Sequence, residues 1–150
     1  MSRSGYGDYC GDQWVLIRWR GAVASAMRGK RGQAFLREAL AALDALPNAE
    51  LVAGDLRRSG SVCTLGAVGV SRGTPLESVD PYDNEAVASL FGLPHAMACE
   101  VMWMNDEAGY RDETPRRRWE RMRAWLVENI RGDLPSEPRA LSPRKGGDNG

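Results

Sequence analysis

A mainly α-helical fold of five to six helices, with at most a short two-stranded β-ribbon, follows from three features of the chain. Apolar residues recur at helical spacing in four long stretches. Capping residues, prolines and glycines divide those stretches in the order that starts and stops helices. The chain has 150 residues, 43% of them hydrophobic, which suits one domain with a core of its own.

The first dozen residues, MSRSGYGDYCGD, have no period and read as a flexible N-terminal arm, 1–12. Asp12 then caps a helix in which Val15, Leu16, Trp19, Val23 and Ala26 share one side, opposite Arg18, Ser25 and Arg28. The turn Arg28-Gly29-Lys30-Arg31-Gly32 leads into a second stripe, Phe35, Leu36, Ala39, Leu40, Leu43 and Leu46, which Pro47-Asn48 ends. Leu51-Val52-Ala53 and Ser61-Val62-Cys63 read as a short ribbon around the turn Arg57–Gly60. A small-residue helix from Cys63 to Ser71 follows and stops at Gly73. The next helix is expected over Pro81–Phe91, with Asp80 as cap, Pro81 in first place and Gly92 as stop. Pro94 opens a helix that is apolar nearly all round through Met97, Val101, Met102, Trp103 and Met104, and that pattern places it centrally. Thr114-Pro115 starts the last helix, with Trp119, Met122, Leu126 and Ile130 on one side. One helical domain, 13–132, thus precedes residues 133–150, DLPSEPRALSPRKGGDNG, whose prolines and glycines and scarce apolar surface describe a disordered tail.

No stretch approaches the ~20 apolar residues of a membrane span, and no basic-then-apolar leader opens the chain. The three cysteines, Cys10, Cys63 and Cys99, are far apart and form no CxxC pair, so a reducing cytoplasm is expected rather than a disulfide framework or zinc ribbon. The formal net charge of zero conceals segregation. Residues 13–37 hold six basic and no acidic residues, residues 74–113 hold nine acidic residues against Arg111, and residues 114–131 hold six arginines against Glu120 and Glu128. Such blocks either pair across the folded molecule or face a charged partner.

The common catalytic signatures GxxxxGK[ST], GxGxxG, HExxH and GxSxG are absent. His95 and Cys99 stand one helical turn apart, but the spacing reads as a core histidine and reduced thiols, so no metal or cofactor is expected. The acidic group Glu100, Asn105, Asp106, Glu107, Asp112 and Glu113 supports an alternative, a metal-dependent enzyme. Against it, Glu100 and Glu107 lie about 10 Å apart along one helix, too far to share an ion without a third element. The more specific feature is the basic turn. Arg28, Lys30 and Arg31 surround a helix start, where unpaired amides and the positive dipole end favour an anion, and Arg18 projects from the same side. Arg117, Arg121 and Trp125 on the last helix complete the candidate partner-binding set, because arginine beside an indole is a frequent interface anchor. A non-catalytic protein that binds a protein or a nucleic-acid backbone through this basic face is the expected function.

The runs WVLIRWRGAVASAMRGKRGQAFLREALAALDALP, VCTLGAVG with Arg72-Gly73, FGLPHAMACEVMWMNDEAG and ETPRRRWERMRAWLVENI resemble a family of short uncharacterised proteins encoded by bacteriophages and prophages. The likeness extends from about Gln13 to Ile130. It implies a small phage accessory protein in the host bacterial cytoplasm, with a host or phage partner, and supplies no activity or catalytic residue. Similar proteins tend to place acids after the proline of the last helix. Here Arg116-Arg117-Arg118 opposes the helix dipole, so the acidic segment is expected to hold that helix start.

Overall fold

The computed structural model describes residues 2–6 and 13–132; residues 1 and 7–12 of the expected arm and the expected tail at 133–150 lie outside them. Six α-helices and one two-stranded antiparallel ribbon make up the described residues, in the order α1 (Gln13–Arg28), α2 (Lys30–Asp44), β1 (Arg57–Arg58), β2 (Ser61–Val62), α3 (Thr64–Arg72), α4 (Asn84–Phe91), α5 (His95–Asp106) and α6 (Pro115–Asn129). The mainly α fold read from the periodicity is therefore the fold observed.

Helix α5 is central, with Ala96 through Met102 all buried. Helices α1, α3 and α4 pack on it, while α2 lies against α1, α3 and α6. Leu36, Leu43, Leu51, Val68, Val87, Met97, Met102, Met122 and Leu126 are wholly buried at the shared centre. Each such side chain contributes roughly 1.5 to 3 kcal/mol through the water it sheds. No single helix among the described residues is long and apolar enough to cross a membrane.

Four expectations change in detail. The ribbon pairs Arg57 with Val62 and Arg58 with Ser61, so half of the expected turn is strand. Ser59 and Gly60 make the turn with φ of 51° and 84°, and Val52 reaches the ribbon only through one bond, its N–H to the carbonyl of Val62 at 2.9 Å. Helix α4 starts at Asn84 rather than Pro81. Asp83 accepts from the amide of Ala86 and is the cap, whereas the Asp80 carboxylate accepts from the amide of Tyr82 in the preceding turn.

The stripe of α1 is buried only in its second half. Val23 and Met27 are buried and Trp19 is half-buried, but Val15 and Leu16 are 37% and 47% exposed. Trp14 at 72% and Ile17 at 61% are more exposed still. Finally, residues 2–6 of the arm are held fast, with Arg3 only 2% and Ser4 only 1% exposed. The side chains of Arg3 and Ser4 find their partners about a hundred positions away on α5 and just beyond it, which no local period could signal.

The acidic middle of the chain meets basic residues as the charge blocks suggested, but not those of α1 and the start of α2. Asp106 pairs with Arg3, Glu77 with Arg57, and Glu113 with both Arg118 and Arg121. Glu113 thereby steadies the arginine-rich start of α6, where Thr114 accepts from the amide of Arg117 at 3.2 Å. The Arg121 guanidinium holds the Glu113 carboxyl below the usual carboxylate range, outweighing the opposing effect of burial.

Candidate functional site

Helices α1 and α2 meet at a sharp corner. Gly29 sits there in extended geometry, and no side chain caps the start of α2. Gly32 makes the corner tight, because a Cβ at that position would stand 1.9 Å from the carbonyl oxygen of Ala26. Its absence of side chain serves helix packing, in addition to any approach by an anion.

Gln33 then fastens a third element to the corner. Its Nε2 donates to the carbonyls of Met27 at 2.7 Å and Asn129 at 3.0 Å, and its Oε1 accepts from the amide of Arg131 at 2.7 Å. Arg37 Nη2 donates to the carbonyl of Arg131 at 2.7 Å. The end of α6 is thus drawn to the start of α2. Arg28, Lys30 and Arg131 are exposed about this junction, whereas the equally exposed Arg31 lines a groove on the other side of α2 with Glu38, Arg72 and Phe91. None of Arg28, Lys30, Arg31 and Arg131 forms an ion pair among the described residues. Arg28, Lys30 and Arg31 were legible in sequence. Arg131 was not, because only the Gln33 bridge places it there.

The other candidates separate from this corner. Arg18 is exposed on α1, ten residues and about 15 Å along the helix from Arg28. Arg117 is exposed at the far end of α6, about 18 Å of helix from Asn129, in a groove it shares with Tyr110, Asp112 and Glu120. Arg121 holds structure together. Its guanidinium grips Glu113 at 2.6 and 2.9 Å and donates to the carbonyls of Met104 and Asn105 at 2.5 and 3.3 Å, closing the end of α5. Trp125 is half-buried against the core rather than offered as an exposed anchor.

The acidic group of α5 is engaged by the arm. Arg3 forks onto Asp106, with Nε at 2.6 Å and Nη2 at 2.9 Å, and the hydroxyls of Ser2 and Ser4 donate to Glu107 at 2.9 and 3.2 Å. The Tyr6 phenol donates to Glu100, and burial, followed by that bond, raises its affinity for its proton. Asn105 accepts from the amide and hydroxyl of Thr64 at 3.0 and 2.9 Å and donates to the carbonyl of Val52 at 2.9 Å. Among the described residues no group of three or more His, Cys, Asp or Glu side chains is arranged to hold a metal ion.

His95 shares a 2.6 Å hydrogen bond with Asn84 and meets Trp19 edge-on at 5.6 Å between centroids. Cys63 caps α3, its sulfur accepting from the amide of Gly66 at 3.3 Å. The Cys99 thiol is pushed up to about 12 by burial, with Glu100 and Glu85 adding to the effect. Thiolate is the reactive form. Cys63 and Cys99 are 0% and 1% exposed, so native protein treated with iodoacetamide at pH 8 should leave both unmodified, and both should alkylate once urea unfolds the chain. Peptide mass spectrometry reads this directly, and rapid labelling of either in the native state would show that the core opens there.

No family model, no curated protein and no solved structure matches the chain, so the function is read from the chain's own geometry.

Proposed function

We propose that the protein is a non-catalytic binding module whose basic α1–α2 corner engages an anionic partner, in keeping with an accessory role in a phage-infected or lysogenic bacterium. One observation carries this reading: the exposed basic residues Arg28, Lys30 and Arg31, none with an ion pair among the described residues, adjoin a helix start that no side chain caps, and the Gln33 bridge adds Arg131. Both the charges and the outward amides favour negative groups. The carboxylates of α5, the basis of the alternative metal-dependent enzyme, are already bonded by Ser2, Arg3, Ser4 and Tyr6, and no observation raises that alternative above the first.

The test is the variant Arg28→Glu, Lys30→Glu, Arg31→Glu compared with wild type on immobilised heparin and in a pull-down from bacterial lysate. These residues are exposed, so circular dichroism should be unchanged. The variant should leave heparin at markedly lower salt and lose the wild-type partner. If duplex DNA is that partner, each lost phosphate contact should reduce the log–log salt slope by about 0.9. A folded triple variant that keeps both heparin retention and every partner would end the proposal.

A further inference from the structure

Residues 2–6 sit on the end of α5 as a bound peptide would, held by side chains rather than by backbone. Residues 2–5 form a turn, in which the Gly5 amide donates to the carbonyl of Ser2 at 3.3 Å and Gly5 has a φ of 75°. Among the described residues no backbone–backbone hydrogen bond joins residues 2–6 to 13–132. Their one backbone group bonded to the domain is the Arg3 carbonyl, which accepts from Asn84 Nδ2 at 3.4 Å. The grip is otherwise that of Arg3 on Asp106, the two serines on Glu107 and Tyr6 on Glu100, with Arg3 Nη1 also 3.7 Å from the Cys63 sulfur.

The receiving surface is set by the domain itself. Asp106 Oδ1 accepts from Asn105 Nδ2 at 2.8 Å, and Asn105 is in turn fixed by Thr64 and Val52. Asn84 is bonded to His95. A Cβ at Gly5 would stand 3.3 Å from Asn84 Nδ2, so close approach and positive φ both call for glycine there. Tyr6 packs against Trp19 and Trp103. The surface therefore selects a planar guanidinium, which lysine cannot imitate, then glycine, then a phenol.

Beside Glu107, where Ser2 docks, an open groove begins at Ala108 and runs past Tyr110, Asp112 and Arg117, and none of residues 2–6 lines it. Tyr110 is 82% exposed. The arm of a second copy would bring no contact that the tethered arm lacks, and a tethered segment competes at an effective concentration of the order of millimolar. A longer segment that carries the same turn and continues on its N-terminal side into the groove gains contacts that residues 2–6 do not make. The carboxylates of Glu100, Asp106 and Glu107 repel a nucleic-acid backbone.

We infer that the end of α5 is a docking groove for a partner protein's segment of the form Arg-x-Gly-Tyr, continued on its N-terminal side along Tyr110 and Asp112, and that residues 2–6 close it as a displaceable internal competitor. This surface is separate from the basic corner, and neither reading depends on the other.

The experiment titrates two dye-labelled peptides, Ser-Arg-Ser-Gly-Tyr and the longer Trp-Lys-Ser-Arg-Ser-Gly-Tyr, with full-length chains and reads anisotropy. The chains are the wild type, an opened variant with Arg3→Ala and Tyr6→Ala, and the opened variant with Asp106→Asn or with Tyr110→Ala added; circular dichroism checks each. Both peptides should bind the opened variant at least about tenfold more tightly than the wild type, whose own arm competes. Lysine in place of the peptide arginine, or Asp106→Asn in the chain, should weaken binding at least about tenfold. The longer peptide should bind more tightly than the shorter, and Tyr110→Ala should remove that gain. On wild type, independently of how the variants fold, the longer peptide with benzoylphenylalanine in place of its tryptophan should cross-link between residues 108 and 120. Equal affinity for wild type and opened variant, equal affinity of the lysine peptide, binding that survives Asp106→Asn, or no cross-link there would each overturn the inference. A longer peptide that binds no more tightly than the shorter would overturn the partner segment, leaving a groove that serves only the chain's own arm.

Discussion

Asp106→Ala should cost about 3 kcal/mol of stability, among the largest effects of any single change to an ionisable residue in this chain. The carboxylate takes a two-pronged contact from the Arg3 guanidinium, whose side chain is 1% exposed. Removing one member of a buried pair leaves the other charge without compensation, which typically costs 3 to 5 kcal/mol. The lower end is expected because detachment of residues 2–6 would return the Arg3 guanidinium to water, so the loss is bounded by the contacts of those residues. Those contacts include Tyr6 on Glu100 and the packing of Tyr6 against Trp19 and Trp103, each at 5.8 Å between centroids. Urea denaturation gives the stability, and tryptophan emission reports whether the arm has left Trp19 and Trp103. Replacing both partners, with Arg3→Met and Asp106→Leu, should recover much of the loss, because no charge is then stranded. A cost below about 1 kcal/mol for Asp106→Ala, with unchanged emission, would show that the arm contributes little in solution.

The docked arm marks the limit of what the chain reveals by itself. Helical periodicity was legible because it is local: the stripes of α2 and α6, the left-handed stop at Gly92 and the Thr114-Pro115 start all stand where the pattern put them. Arg3 carries no such signal, since its partner is 103 residues distant. Periodicity also reports the capacity of a face for burial rather than burial itself. Val15 and Leu16 continue the stripe of Trp19 and Val23, yet they are 37% and 47% exposed. Cap residues were ambiguous by one turn where Asp80 and Asp83 offered the same chemistry, and Asp83 is the one whose side chain reaches an amide of the helix's first turn. In the candidate site, Arg28, Lys30 and Arg31 could be grouped because they are neighbours in sequence. Arg121 could not be set aside, because its engagement by Glu113 needs the α5–α6 turn to bring together residues eight apart. Arg131 needed Gln33, at a separation of 98.

Gly32→Ala should destabilise the protein by about 3 kcal/mol, and the sign of that effect tests the corner itself. Alanine in place of glycine inside a helix ordinarily stabilises by about 0.5 to 1 kcal/mol, since it restricts the unfolded chain and favours helical geometry. At Gly32 the added Cβ would stand 1.9 Å from the carbonyl oxygen of Ala26 and 2.9 Å from both the carbonyl carbon of Ala26 and the Cα of Met27. All three are backbone atoms, so no side-chain rotation relieves the clash and α1 must move away from α2. Overpacking of this kind costs about 1 to 3 kcal/mol and sometimes more, and here it strains the Gln33 bridge to Met27 and Asn129 as well. Gly21→Ala is the matched comparison: it lies in α1 with nothing within 4 Å of its Cβ position and should stabilise by the ordinary increment. Two identical substitutions on adjoining helices should therefore move the urea midpoint in opposite directions. Because Gly32 sets how closely the start of α2 packs on the end of α1, the same variant should also leave immobilised heparin at lower salt than wild type while Gly21→Ala does not. A neutral or stabilising Gly32→Ala would mean that α1 and α2 are not held at this separation, and the corner would lose its claim to be a preformed anion site.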